Sequence, residues 1–172
     1  FATEPGAIAA PTAGLHFTPE ILTEIRNRGI DILEVTLHVG LGTFSSIDRE
    51  DIRKHRMHAE FFSVSSQTLR QLKIYQNNNK RIINVGTTSV RVLETLARQN
   101  FKKDHGWTDI FIYPTWEFRM TDGLLTNFHL PKSTLLLLVS AFCGREFLLK
   151  SYQCAVAEKY RFFSYGDCML IL

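Results

Sequence analysis

The chain has 172 residues, 45% of them apolar and 22% charged, which suits one globular domain with a buried core and excludes disorder over most of its length. Its mean hydropathy is −0.05, and the longest apolar run, Leu135 to Val139, falls far short of the ~20 residues that a membrane helix needs. Twenty Lys and Arg against 17 Asp and Glu give a net charge of +3, which permits a polyanionic partner without requiring one.

The three cysteines, Cys143, Cys154 and Cys168, form neither a CxxC pair nor an even disulfide set, and no leader pattern opens the chain, so a reducing cytosol is the expected location. Phe1 rather than Met begins the sequence, and the chain reads as a piece of something longer.

Alternating helical and strand periods run along the chain without repeats. Thr18 as cap, Pro19 in a first turn, Ile21, Leu22 and Ile25 on one face and Gly29 as stop predict a short helix. Leu33, Val35, Leu37 and Val39 alternate with Glu34, Thr36 and His38, which predicts a strand over 32–39 with His38 turned away from the apolar row. The stretch from Ser45 to His58 is polar and basic and reads as a loop or an exposed turn of helix. Phe61, Phe62 and Val64 make a strand, Ser65 or Ser66 caps a helix carrying Leu69, Leu72 and Tyr75, and 81–85 is a short strand.

A Gly86-Thr87-Thr88-Ser89 turn then leads into a helix with Val90, Leu93, Leu96 and Ala97 on its apolar face, closing a strand-loop-helix unit of α/β type. Strands are expected over 108–113 and 124–130, each ended by a proline. Ser133 caps an apolar helix from Thr134 to Cys143 that Gly144 stops, an amphipathic stretch covers 147–160, and two short strands flank Gly166.

Several turns carry residues able to do chemistry. The run from Ala10 to Phe17 places Thr12 and Gly14 before His16, ahead of a capped helix. Such a loop lets a ligand approach the backbone, and His16 is then either a proton carrier or a turn histidine satisfying a carbonyl. His38 precedes Gly40 and Gly42 at the end of a strand, where ligands gather in open α/β sheets. The spacing is not GxGxxG, so a plain strand-end turn stands beside the binding reading.

Thr87, Thr88 and Ser89, with Arg91 one turn on, offer hydroxyls and N–H groups at a helix N-terminus for a phosphate, a carboxylate or ribose hydroxyls. A simple capping turn is the alternative, and the absent GxxxxGK[ST] argues against a phosphotransferase. Asn127, His129, Lys132 and Ser133 crowd a strand-to-helix junction, with Asn127 and His129 expected on one face. Tyr165, Gly166 and Asp167 supply a phenol and a carboxylate around a turn, equally readable as a hairpin. His55 and His58 form HxxH on a solvated stretch, there is no HExxH, and no metal is expected. GxSxG is missing too.

Taken together, APTAGLHF (10–17), TLHVGLGTF (36–44), MHAEFF (57–62), VGTTSVR (85–91), TDIFIYP (108–114), TNFHLPKST (126–134) and YRFFSYGD (160–167) resemble the S-adenosylmethionine:tRNA ribosyltransferase-isomerase family of the queuosine pathway. The resemblance runs co-linearly over nearly the whole chain. It implies a layered α/β domain with a mixed sheet, of which 1–172 is the C-terminal part with a complete C-terminus. The opening of that domain and the family's inserted β-barrel are absent.

By the same resemblance, the ribosyl portion of S-adenosylmethionine is moved to 7-aminomethyl-7-deazaguanine (preQ1) at the wobble position of a tRNA and isomerised to epoxyqueuosine, with release of adenine and methionine. S-adenosylmethionine is then a co-substrate, with no true cofactor and no metal, and the protein is a cytoplasmic monomer with no membrane partner. The sulfonium acidifies the C5′ hydrogens, so the course implied is proton removal there, ring opening with loss of adenine, attack by the amine of preQ1, and epoxide closure expelling methionine.

The roles implied are proton transfer or adenine contact for His16, His38 and His129, with Glu60 or Asp167 as carboxylate partner. Thr12, Gly14, Gly40, Gly42, Asn127 and Tyr165 line the substrate, and Thr87, Thr88, Ser89 and Arg91 hold the methionine carboxylate or an RNA phosphate. Lys132 and the basic stretch 49–56 meet the tRNA backbone. The competing interpretation is a tRNA-binding module without chemistry, and a chain lacking the barrel is expected to be impaired or inactive alone.

Overall fold

Side-chain caps set the helix boundaries in the computed structural model, which describes residues 5–40 and 51–172. Helix α1 (Pro19–Asn27) begins where the Thr18 hydroxyl accepts from the Ile21 N–H at 3.3 Å, and α2 (Ser66–Asn77) where Ser65 accepts from Thr68 at 2.9 Å. Ser133 accepts from Leu136 at 3.1 Å to start α4 (Thr134–Cys143). Gly144, at φ 85°, both ends α4 and opens α5 (Arg145–Ala157), a backbone conformation that costs glycine little. Helix α3 (Thr87–Arg98) follows Gly86, whose φ of 86° turns the chain directly from strand into helix.

Six strands are found among the described residues, and they form two three-stranded sheets rather than one. The first is antiparallel, with β1 (Thr36–His38), β2 (Glu60–Ser63) and β4 (His105–Thr108) in the order β1-β2-β4. The second is mixed, with β3 (Ile83–Val85), β5 (Gly123–Asn127) and β6 (Cys168–Ile171) in the order β3-β5-β6. Here β3 and β5 are parallel and β6 runs antiparallel to β5. The α/β class is therefore as expected, and the strand bounds are not.

Leu33 and Val35 pack on the core outside any ladder, because β2 offers partners only for Thr36 to His38. The strand expected over 108–113 lies earlier, ending at Thr108. Beyond it the alternation of Ile110 and Ile112 reflects their packing with Leu124 and Leu138 rather than pairing. The strand expected to reach residue 130 stops at Asn127, where its β6 partner Cys168 begins. Only one strand, β6, forms near Gly166, since residues 161–167 close on themselves instead of pairing.

Helix α3 joins the two sheets. Val92, Leu93, Leu96 and Ala97 belong to the core over the first sheet with Phe62 and Leu37, while Val90 joins Leu124, Leu138 and Val139 over the second. Its burial on nearly all sides takes in polar residues too: Arg91, Glu94 and Thr95 are each buried. Glu94 is fully enclosed. It accepts from the N–H groups of Arg119 and Met120 at 3.1 and 2.9 Å and from the Thr121 hydroxyl at 3.0 Å, fixing the segment ahead of β5.

Candidate functional site

Parallel strands leave their carboxyl ends side by side, and in α/β sheets the turns leaving those ends form clefts. Here β3 and β5 pair with Val85 opposite Leu125, and the Gly86 N–H continues the ladder to the Leu125 carbonyl at 2.8 Å. Gly86 and Asn127 therefore stand at one edge. A 3-10 helix, Thr12–His16, packs onto it, and a Cβ placed on Gly86 would lie 3.5 Å from the Ala13 Cβ. The tight run of small residues from Ala10 to Gly14 is what allows that approach.

Asn127 is the hub of the edge. Its side-chain nitrogen donates to the Phe163 carbonyl at 3.2 Å and faces His16 Nε2 at 3.1 Å, and the Thr12 hydroxyl donates to its Oδ1 at 3.5 Å. A carbonyl can only accept and an amide nitrogen can only donate, so the Phe163 contact fixes the orientation of the amide and makes His16 Nε2 an acceptor. Asp167 closes the same edge. The Arg161 guanidinium beside it holds its carboxyl below the usual range. The structure thus gathers Thr12, His16, Asn127 and Asp167, drawn from both ends of the sequence, around the turn that opens α3.

The remaining candidates take no part in the hydrogen bonds of this cluster, and Glu60 and His38 lie on the first sheet. Thr87 is buried in the first turn of α3, Thr88 is half-buried, and the Ser89 hydroxyl donates to the Val85 carbonyl at 2.8 Å. Arg91 points elsewhere: its guanidinium is buried and paired with Glu60, whose other oxygen accepts from the Gly40 N–H at 2.9 Å. Arg91 and Glu60 are thus both sequestered, not presented as an open anion cradle and a free carboxylate. Gly14 is buried inside the 3-10 helix.

His38 stacks on Phe61 at 5.9 Å, and its Nδ1 is buried without a hydrogen-bond partner among the described residues. Gly42, Arg49 and Glu50 lie outside the described residues. Of the basic stretch, Arg53 pairs with Asp51, while Lys54 and Arg56 are exposed. Lys132 and Tyr165 are exposed as well.

His129 does not share a face with Asn127. It lies past the end of β5, where strand alternation no longer applies, and its Nε2 meets the Thr126 hydroxyl at 2.8 Å while its backbone N–H donates to the Tyr152 hydroxyl at 2.7 Å. Burial pushes its pKa down to about 4, so at neutral pH the ring is uncharged. Thr126, Tyr152 and the Phe163 carbonyl escaped the sequence reading. A carbonyl leaves no trace in composition, and a tyrosine on an amphipathic helix reads simply as part of its apolar face.

Among the described residues no group of three His, Cys, Asp or Glu could hold a metal ion, and no helix is long and apolar enough to cross a membrane. What the edge offers is a ring nitrogen on a fixed amide, a carboxylate, and the N–H groups at the start of α3, a set suited to proton transfer beside an anchored anion.

Comparison with known proteins bears on which chemistry that is. A family model described as "Queuosine biosynthesis protein" matches residues 1–171. The S-adenosylmethionine:tRNA ribosyltransferase-isomerase of Sulfurihydrogenibium sp. (strain YO3AOP1) is 57% identical over 172 residues, covering 100% of this chain and 51% of its own length. That of Thermosipho africanus (strain TCF52B) is 55% identical, covering 99% of this chain and 51% of its own length. The crystal structure of S-adenosylmethionine tRNA ribosyltransferase from Thermotoga maritima superposes with a TM-score of 0.75 at 45% identity, over 93% of this chain and 51% of that one. The chain thus spans about half the length of the curated relatives it matches.

Proposed function

The chain belongs to the queuosine biosynthesis protein family, and from that premise we propose that it forms the substrate pocket of an enzyme that transfers and isomerises the ribosyl group of S-adenosylmethionine onto preQ1 at a tRNA wobble position. The products are epoxyqueuosine, adenine and methionine. The convergence of Thr12 and His16 on Asn127 at the carboxyl ends of β3 and β5, with Asp167 next to Asn127's ladder partner Cys168, is the observation that carries this proposal. S-adenosylmethionine and tRNA are its substrates, and it uses neither a resident cofactor nor a metal.

Loss of adenine and opening of the ribose require a proton to leave C5′ beside the sulfonium and another to reach the departing base. His16, whose Nε2 is oriented as an acceptor by Asn127, is the group assigned to that transfer, and a positioned acid or base contributes roughly 10²- to 10⁴-fold. Asp167, paired with Arg161, holds the 161–167 loop beside the edge. The N–H groups of Thr87 and Thr88 at the start of α3 bind the methionine carboxylate or an RNA phosphate. Glu60 and Arg91 act through structure, holding the Gly40 N–H and hence the turn after β1. His129 shapes the end of β5, and His38 contacts the adenine. Lys132, Lys54 and Arg56 meet the RNA backbone, which makes binding salt-sensitive.

The test is adenine release from S-adenosylmethionine in the presence of preQ1-bearing tRNA by the full-length protein, with the wild type against His16→Ala. Release by the wild type and its loss in the variant supports the assignment. RNA binding with no adenine from either protein makes the chain a binding module without chemistry.

A further inference from the structure

Residues 160–165 read Tyr-Arg-Phe-Phe-Ser-Tyr, and all four aromatics are exposed: Tyr160 54%, Phe162 49%, Phe163 37% and Tyr165 83%. Rings of this size are usually buried, and a contiguous exposed group of them marks a contact surface. The loop that carries them is fastened rather than frayed. Its ends are tied by hydrogen bonds from the Arg161 N–H to the Asp167 carboxylate at 2.7 Å and from the Asp167 N–H to the Arg161 carbonyl at 2.9 Å. Gly166 lies so close that a Cβ would stand 2.4 Å from that same carbonyl.

The loop is also joined to the candidate site. Its Phe163 carbonyl accepts from Asn127, and the Tyr160 ring packs edge-on to Phe128 at 6.2 Å. Phe162 and Phe163 stack on each other at 6.2 Å. Two exposed cations alternate with the rings in sequence, Lys159 before Tyr160 and Arg161 after it, Arg161 being paired with Asp167.

Exposed aromatic faces interspersed with cations are the chemistry by which proteins hold unpaired nucleotides: rings stack on bases and the cations meet the phosphates. We infer that the 160–165 loop is a stacking platform for the unpaired RNA nucleotides that flank the base delivered to the Asn127–His16 cluster. The inference rests on RNA being the substrate of that cluster, as proposed above. It adds where the neighbouring nucleotides sit and which side chains hold them.

The experiment measures the affinity of a labelled RNA hairpin with an unpaired loop, and of a blunt duplex of the same stem, for the wild-type protein, Phe162→Ala, Tyr165→Ala and Tyr165→Trp. Tyr165 is too exposed for its truncation to threaten folding. Each alanine variant is expected to weaken hairpin binding about tenfold, the scale of one lost stacking contact, and to leave duplex binding unchanged. Tyr165→Trp is expected to retain affinity and to show tryptophan quenching on addition of hairpin.

Wild-type hairpin binding that survives unchanged in both alanine variants overturns the platform and leaves RNA as substrate standing. A wild type that binds neither RNA overturns the RNA reading and the platform with it. A change of oligomeric state in the alanine variants without a change in hairpin affinity makes the patch a protein interface and overturns the inference.

Discussion

Asn127 and His16 are 111 residues apart in sequence and 3.1 Å apart at the edge of the mixed sheet. The amide is clamped from its other side by the Phe163 carbonyl, so it presents a fixed donor to the histidine. Replacing Asn127 by Ala removes that clamp from both the ring and the 160–165 loop. The expected result is a fall of about tenfold or more in the rate of adenine release, smaller than that of His16→Ala, which removes the proton-transferring group itself and is expected to cost roughly 10²- to 10⁴-fold. Steady-state kinetics of the two variants against the wild type makes the comparison, and equal rates for Asn127→Ala and wild type would remove the amide from any role in positioning.

His129 gives the molecule a pH dependence. Its pKa is lowered to about 4 by burial, against an ordinary value near 6.5 in the unfolded chain. Between those values the unfolded state binds the proton and the folded state does not, so stability rises with pH through that window and its full contribution is present above about pH 6.5. Acidification from 6.5 toward 4 is expected to remove stability by up to ~3 kcal/mol through this one residue. Urea unfolding at a series of pH values measures it. His129→Gln is expected to flatten the profile across that window, and an unchanged slope would mean that other groups titrate there.

Much of this architecture is written in local signals. Thr18 and Ser133 each cap the helix that their position in the sequence announces, and Ser65 is the one of two candidate serines that caps α2, because a hydroxyl before a run of helix formers needs only the N–H three residues on. The ends of β1, β4 and β5 depend instead on how far a partner strand extends, which no local pattern records.

The same division holds in the site. His16, Asn127 and Asp167 stand out as residue types in glycine- and proline-marked turns, but their meeting is a product of topology. Arg91, one turn inside α3, shows no sign in sequence of the partner it finds on β2. The sequence marks Val90, Leu93, Leu96 and Ala97 as one apolar face of α3, whereas the helix packs against both sheets.

The buried Glu60–Arg91 pair links β2, α3 and the turn at Gly40. Removing one member of such a pair leaves the other charge enclosed, which typically costs 3–5 kcal/mol, whereas replacing both by apolar residues is far better tolerated. Glu60→Ala and Arg91→Ala are each expected to lower stability by about that amount. The double change Glu60→Leu with Arg91→Leu should recover much of the loss without restoring adenine release, since the Gly40 N–H then has no acceptor from β2. Thermal unfolding and activity measured on the same samples separate the two effects. A double variant with wild-type activity would show that the pair contributes to the fold alone.

Glu94 is a carboxylate surrounded by donors from the 116–121 segment: the Trp116 indole at 3.4 Å, the Arg119 and Met120 N–H groups and the Thr121 hydroxyl. That segment leads straight into β5 and thus sets the position of Asn127 at the strand's far end. Glu94→Gln keeps the size of the side chain but turns one acceptor into a donor facing other donors. Each buried donor left without an acceptor costs about 1–3 kcal/mol, so the variant is expected to lose stability in that range or above and to show faster amide exchange at Arg119 and Met120 than the wild type. Hydrogen exchange resolved by residue decides it, for if Glu94 only fills space, Gln would fill it equally well and those two amides would exchange at the wild-type rate.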